Sequence, residues 1–139
     1  MLVNYREQDF VEEVLAASSG RGADVILDNM GAKYLPRNVS ALAVSGRLVV
    51  IGLQGGRVGE LDLGALLAKR GVVAATSLRA RPLREKQSIV AGVRQSVWPL
   101  IESGEVRPIV HTRLPLAEAA QAHALMESSS HIGKILLTT

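Results

Sequence analysis

Three short runs of apolar, largely β-branched residues occur in the chain, at residues 23–28, 47–51 and 72–76. The second run is continuously apolar after Arg47, which is typical of a strand covered on both faces. Stretches of helical character separate the runs. This alternation predicts βαβ units and an α/β fold built on an open parallel sheet.

The remaining segments predict helices and a shorter extended return. Hydrophobic residues make up 47% of the chain but aromatic residues only 3%, so aliphatic side chains must supply the core packing. Pro99 is expected to kink the end of a long amphipathic helix. We predict helices at residues 5–18, 34–43, 62–69, 82–103 and 115–127, and extended segments at residues 106–114 and 134–137.

Size and charge narrow the function classes. A chain of 139 residues is long enough for one buried core, and it contains no cysteine for a disulfide or a cysteine-ligated metal. Its net charge of +3 admits a nucleic-acid partner through Arg79, Arg81 and Arg84. Interspersed acidic residues and scarce aromatic residues favour a phosphorylated small molecule instead. We predict no membrane segment and a cytoplasmic location.

Candidate site residues follow the three predicted strands, because open parallel sheets bind ligands beyond the carboxyl ends of their strands. The segments are residues 28–31, 52–56 and 77–79. Glycines there would let the backbone approach a ligand closely. Two alternatives remain open: Asp28 and Asn29 are common turn formers and helix caps, and Gly55, Gly56 and Gly59 are typical of a flexible turn.

The histidines and serines give no catalytic pattern. His111, His123 and His131 are predicted on a strand, a helix and a loop, without the spacing of a shared metal site. Ser128, Ser129 and Ser130 precede His131, but neighbours in a loop seldom form a triad, and no glycine-flanked elbow is present. We therefore expect neither a metal site nor hydrolysis.

Five motifs in order along the chain carry a family resemblance. They are Asn4-Tyr5-Arg6, residues 24–28, residues 46–56, Ser77-Leu78-Arg79-Ala80-Arg81, and His131-Ile132-Gly133-Lys134-Ile135. Together they resemble the quinone oxidoreductase branch of the zinc-type alcohol dehydrogenase superfamily, over essentially the whole chain. The resemblance implies half of a Rossmann-type doubly wound sheet, strands 4, 5 and 6, followed by a helix-strand return segment. Residues 1–103 would belong to the NAD(P)-binding domain and residues 104–139 to the catalytic lobe.

The resemblance also implies a cofactor, NADPH, and a hydride acceptor that is a quinone or an activated alkene. Tyr5 would lie near the adenosine ribose and its 2′-phosphate. Residues 51–54 would line the nicotinamide half, with residues 77–79 beside it. No catalytic residue or metal ligand is expected. The implied cofactor-binding residues are Tyr5, Asn29, Gly31, Ile51, Gly52, Leu53, Gln54, Ser77, Leu78, Arg79, Gly133 and Lys134.

The phosphate-binding fingerprint G-x-G-x-x-G occurs nowhere in the chain. In the family that loop precedes the Asn-Tyr-Arg segment, so we expect a carboxyl-terminal portion of an enzyme, with weak or absent NADPH binding and no activity by itself. The edge at residues 25–27 would be bare. By the same resemblance, residues 72–76 would pair with a second subunit in a homodimer. The alternative is a non-catalytic dimerisation or regulatory module.

Overall fold

The structure is a computed structural model that describes every residue from Met1 to Thr139. The elements alternate as the sequence predicts. The strands are β1 (Ala23–Asp28), β2 (Leu42–Val50), β3 (Val72–Ala75), β4 (Val110–Pro115) and β5 (Lys134–Thr138). The α-helices are α1 (Phe10–Ala17), α2 (Leu35–Ala41), α3 (Leu63–Ala68), α4 (Leu83–Ser96), α5 (Trp98–Glu102) and α6 (Ala119–Glu127), and 3₁₀ turns at Ala32–Tyr34 and Leu116–Glu118 precede α2 and α6.

The first unit, Met1–Arg81, contains a parallel sheet of order β1-β2-β3. Leu27 pairs with Val49 and Val49 pairs with Ala74, so the three predicted strands are neighbours and run in the same direction. Leu48 of the central strand is 0% exposed. The predicted parallel arrangement is confirmed, and the core lies around the central strand.

The central strand begins earlier than residue 47, the start that the apolar pattern predicts. Ala23 pairs with Leu42, and the register then shifts before Val25 pairs with Arg47. Ser45 within this segment has φ 62°, and Leu42 is buried. A Cβ atom at Gly46 would lie 2.7 Å from Cγ of Leu42. The predicted boundary was wrong because this irregular turn, which the apolar pattern does not encode, lies inside the strand.

A small aromatic cluster joins α1 to α2. The rings of Phe10 and Tyr34 stack with centroids 5.4 Å apart, and the Arg37 guanidinium lies 4.4 Å from the Phe10 centroid. Arg37 also forms an ion pair with Asp9 at 3.1 Å. Asp9 accepts a hydrogen bond from the Val11 amide as the N-cap of α1. Helix α1 therefore begins at residue 10 rather than residue 5, and residues 5–7 form a turn before it.

The second unit, Pro82–Thr139, has its own two-stranded parallel sheet, formed by β4 and β5. The predicted long helix is divided at Val97, and Pro99 lies in the first turn of α5, which confirms the expected kink. The units meet in sequence between Arg81 and Pro82, whereas the predicted boundary between nucleotide domain and return segment follows residue 103. The assignment of those two domains stays a prediction.

Both outer strands of the three-stranded sheet have an edge without a partner in this chain. On β1, Val25 is 58% exposed and Leu27 is 69% exposed. On β3, Val72 is 47% exposed and Val73 is 36% exposed. The expected bare edge at residues 25–27 is confirmed. No helix in the structure has the length and apolar character needed to cross a membrane.

Candidate functional site

The three strands of the first unit end side by side. Asp28 pairs with Val50, and Val50 pairs with Ala75, so the last residues of β1, β2 and β3 lie in one row. The segments that follow them therefore start at the same edge of the sheet. This is the edge at which open parallel sheets bind ligands.

Asp28, at the end of β1, is only 4% exposed. Its Oδ1 accepts a hydrogen bond from the Met30 amide at 2.9 Å, and its Oδ2 accepts one from the Gly31 amide at 2.8 Å. Both carboxylate oxygens thus hold the following turn, which is the alternative that the sequence analysis left open for this residue. Asp28 is a positioning residue for residues 29–31.

Backbone hydrogen bonds join the segment after β1, residues 29–32, to the segment after β2, residues 51–56. We call these segments the first and second tip loops. The Ile51 amide donates to the Asp28 carbonyl at 2.7 Å. The Gln54 amide donates to the Asn29 carbonyl at 3.1 Å, and the Gly55 amide donates to the Met30 carbonyl at 2.7 Å. From the first loop to the second, the Ala32 amide donates to the Gly56 carbonyl at 3.0 Å. The two loops form a continuous backbone-bonded structure.

Glycine is required where these loops touch. A Cβ atom at Gly31, where φ is 75°, would lie 2.7 Å from the Gly56 carbonyl oxygen. A Cβ atom at Gly52 would lie 2.8 Å from the Asn29 carbonyl oxygen. A close approach between the loops themselves therefore explains why both positions are glycine. Contact of Gly31 and Gly52 with a cofactor stays a prediction.

The segment after β3, residues 76–81, is held by a side chain. We call it the third tip loop. Arg81 donates from Nε to the Ser77 carbonyl at 3.0 Å and from Nη2 to the Thr76 hydroxyl at 2.9 Å. The loop joins the sheet through the Thr76 amide, which donates to the Val50 carbonyl at 3.1 Å. Arg81 therefore folds the loop, which does not suit the nucleic-acid contact weighed for this residue.

Apolar side chains remain exposed along the tip loops. Ile51 is 51% exposed, Leu53 is 56% exposed and Leu78 is 51% exposed. Asn29, Gln54, Ser77 and Arg79 are also exposed beside them. An edge with apolar side chains and a few polar groups suits a flat, partly apolar ligand with polar substituents.

Three predicted cofactor residues lie outside the tip loops. Tyr5 lies in the turn before α1 and is 65% exposed, with the Arg6 guanidinium 5.9 Å from its ring centroid. Gly133 and Lys134 belong to the second unit, where the Lys134 amide donates to the Ile109 carbonyl at 2.8 Å. Their role beside a cofactor stays a prediction.

Two histidines that the sequence analysis treated as scattered lie together in the second unit. The rings of His111 and His131 have centroids 6.2 Å apart in an edge-to-face arrangement. Their separation along the chain hides this proximity, and only the parallel pairing of β4 with β5 reveals it.

Comparison with known proteins identifies the family of this chain. Residues 1–137 match the family model described as "Zinc-binding dehydrogenase". The chain belongs to the zinc-binding dehydrogenase family. A quinone oxidoreductase of Rattus norvegicus is 30% identical over 135 residues, which cover 96% of this chain and 39% of that protein. Quinone oxidoreductase 1 of Escherichia coli K12 is 28% identical, covering 98% of this chain and 42% of its own length.

Solved structures of this family share the fold. A crystal structure of Escherichia coli quinone oxidoreductase complexed with NADPH matches with a TM-score of 0.78 and 30% identity, over 99% of this chain and 42% of the other. A crystal structure of an NAD-dependent alcohol dehydrogenase matches with a TM-score of 0.75 and 28% identity, over 99% of this chain and 37% of the other. The chain thus has the fold of the NAD(P)-binding half of medium-chain dehydrogenases. It spans about two fifths of the length of its relatives.

The zinc in the family's name does not fit these residues. The chain has no cysteine, and no group of three or more His, Asp or Glu side chains is placed to hold a metal ion. Zinc sites in proteins are built from three or four such ligands.

Proposed function

We propose that this zinc-binding dehydrogenase chain carries the nicotinamide side of an NADPH site, in an oxidoreductase that reduces a quinone or an activated alkene. The observation that carries the proposal is the row of three strand ends, which brings exposed Ile51, Leu53 and Leu78 to one edge. The bound cofactor would supply the hydride, while the protein orients the nicotinamide against its acceptor. The NADPH complex of the Escherichia coli relative supports the choice of cofactor.

The proposed contacts differ along the edge. Ile51, Gly52 and Leu53 would present an apolar surface to the nicotinamide, with Gln54 supplying polar groups beyond it. Asn29 and Gly31, in the first tip loop, would lie alongside. Because the two loops are bonded through their backbones, they would keep this surface in place without a ligand.

The third tip loop would complete this side, with Ser77, Leu78 and Arg79 next to the nicotinamide half. Tyr5 would face the adenosine ribose and its 2′-phosphate, which favours NADPH over NADH. Gly133 and Lys134, in the second unit, are proposed as cofactor contacts on the family resemblance alone. The positive charge of Arg79 suits a cofactor that carries phosphates.

We propose weak NADPH binding and negligible turnover for the chain by itself. The reason is the missing G-x-G-x-x-G segment, since a helix amino terminus preceded by such glycines normally binds the pyrophosphate. The exposed edge of β3 would pair with the same strand of a second copy to form a homodimer. We also propose that the protein is cytoplasmic.

A chimera tests the proposed site. This chain would replace the matching carboxyl-terminal part of Escherichia coli quinone oxidoreductase, and NADPH affinity would be measured by fluorescence together with quinone reduction. We expect the chimera to bind NADPH and to turn over. Leu53→Glu should weaken NADPH binding by about tenfold or more, because its carboxylate would face an anionic cofactor.

Leu67→Glu is the matched control, since Leu67 lies on α3 and is already 79% exposed. It should leave NADPH affinity unchanged. Equal affinities for the Leu53→Glu and Leu67→Glu chimeras would contradict the proposed nicotinamide contact. Micromolar NADPH affinity and quinone turnover by the 139-residue chain alone would contradict the half-site.

The second candidate is a non-catalytic dimerisation module. The exposed apolar residues on the outer strands, Val25 and Leu27 on one side and Val72 and Val73 on the other, favour it. It predicts no NADPH binding by the chimera. Because both candidates predict a dimer of the chain, the NADPH titration of the chimera is the measurement that separates them.

A further inference from the structure

The histidine pair of the second unit is not used by the proposed NADPH site. His111 lies on β4, and His131 lies in the segment that leads into β5. Their ring centroids are 6.2 Å apart, with an angle of 69° between the ring planes. Two imidazoles on one ion, at metal–nitrogen distances of about 2.0–2.1 Å, have centroids about 5 Å apart when they are tetrahedral neighbours and about 6.4 Å apart when they lie opposite each other. The observed separation therefore suits two imidazoles on nearly opposite sides of an ion.

The backbone holds the two rings near each other. The Lys134 amide donates to the Ile109 carbonyl at 2.8 Å. Ile109 lies two residues before His111, and Lys134 lies three residues after His131. A Cβ atom at Gly133, where φ is 96°, would lie 2.4 Å from that same carbonyl oxygen. The strand segments that carry the histidines therefore approach as closely as a glycine allows.

His111 also lies at an irregularity in the strand pairing. Val110 pairs with Lys134 and Thr112 pairs with Ile135, so the register shifts across His111. Irregularities of this kind re-aim a side chain and are common next to functional sites. Here the shift accompanies the approach of the His111 ring to the His131 ring.

His131 has an unsatisfied nitrogen. Its Nδ1 is buried and has no hydrogen-bond partner. A buried polar atom without a partner is unfavourable, and a neutral imidazole nitrogen can be satisfied by a metal ion as well as by a donor. His111 is exposed, so solvent reaches the pair from one side.

We propose that His111 and His131 form a two-imidazole site for a divalent first-row transition-metal ion. Imidazole suits copper and nickel, and affinity should rise from Ni²⁺ to Cu²⁺. No cluster of three or more His, Asp or Glu residues contains the pair, so water completes the coordination. This makes the site open and exchangeable, unlike a structural zinc site.

Titration calorimetry of the full chain with Ni²⁺ and with Cu²⁺ tests the site at neutral pH. We expect His111→Gln and His131→Gln each to weaken Ni²⁺ binding by about tenfold or more. His123→Gln is the matched control, because His123 is the third histidine and lies on α6. It should leave the affinity unchanged.

Nuclear magnetic resonance gives a second measurement that does not depend on how the variants fold. Substoichiometric Cu²⁺ should broaden the imidazole signals of His111 and His131 and leave those of His123 sharp. Broadening of His123 alone, or unchanged Ni²⁺ affinity in the doubly substituted H111Q/H131Q chain, would overturn the proposal. The latter result would assign binding to another group, such as the amino terminus.

Discussion

The first two tip loops and the third are held in different ways, although all three follow neighbouring strands. Residues 29–32 and 51–56 are joined by a series of backbone hydrogen bonds. The third tip loop, residues 76–81, has only a few backbone hydrogen bonds, and the Arg81 side chain adds bonds to Ser77 and Thr76. The first arrangement tolerates changes of exposed side chains but not of its glycines, and the second responds to one side chain.

This difference suits the proposed site. Backbone-bonded loops keep their position without a ligand, so the apolar surface at Ile51 and Leu53 is preorganised. A loop with few backbone hydrogen bonds, supported by the half-buried Arg81, opens more readily, because a side-chain hydrogen bond contributes only modest net stability. We expect the third tip loop to be the more mobile part of the edge.

The largest effect is expected from Gly31→Ala. The new Cβ atom would lie 2.7 Å from the Gly56 carbonyl, at a residue with φ 75°. Strain of this kind destabilises a protein by about 1–3 kcal/mol, and we expect the upper end because backbone atoms cannot rotate away. Urea denaturation measures the loss.

Gly92→Ala is the control for Gly31→Ala. Gly92 lies in α4, and nothing lies within 4 Å of where its Cβ atom would be. Alanine should stabilise the helix by about 0.5–1 kcal/mol. A Gly31→Ala chain as stable as the Gly92→Ala chain would contradict the backbone-bonded description of the first two loops.

A smaller effect is expected from Asp28→Ala. It removes the acceptors of the Met30 and Gly31 amides at a position only 4% exposed. Leaving buried donors unsatisfied should reduce the free energy of unfolding by about 2 kcal/mol. Asp28→Asn retains one acceptor oxygen and should lose less. If the Asp28→Ala chain and the Asp28→Asn chain were both as stable in urea as the unsubstituted chain, the carboxylate would not position the loop.

A still smaller effect is expected from Arg81→Ala. Losing its bonds to Ser77 and Thr76 should reduce stability by about 1 kcal/mol or less. Hydrogen exchange should quicken in residues 76–81 and stay unchanged in residues 51–56. Arg57→Ala, which alters an exposed arginine outside the third tip loop, should change neither segment. Faster exchange in residues 51–56 would show that the loops are not independent.

The fold was largely predictable from the sequence because apolar β-branched runs and helical stretches carry it directly. The runs at residues 23–28 and 72–76 mark β1 and β3, and Pro99 marks the break between α4 and α5. The start of β2 was not predictable, because the turn at Ser45 and Gly46 depends on packing against Leu42. No periodicity encodes that contact.

The row of strand ends at which the site is proposed was predictable from the sequence, and the contacts that hold the loops there were not. Strand ends fixed the place, but glycine patterns do not distinguish contact with a ligand from contact between two loops. The structure favours the second at Gly31 and Gly52. The His111–His131 pair was not predictable, because it depends on a parallel pairing that joins residues distant in sequence.

The smallest effect is expected at the start of α1. This helix lies outside the three tip loops, so a change there is a reference against which changes in the loops can be compared. The pKa of Asp9 is lowered from 3.8, first by the hydrogen bond from the Val11 amide and then by the Arg37 side chain. A lowered pKa means that ionised Asp9 stabilises the folded chain above pH 3.8, and that this contribution is lost as the pH falls through the folded-state value. Arg37→Gln should move the Asp9 pKa back toward 3.8, as followed by the NMR shift of its carboxyl carbon. Because Asp9 is exposed, the accompanying change in acid stability should be slight and should leave hydrogen exchange in all three tip loops unaltered. If acidification through this range instead opened residues 29–32 before α1, the loops would owe their order to a titrating group rather than to their backbone bonds.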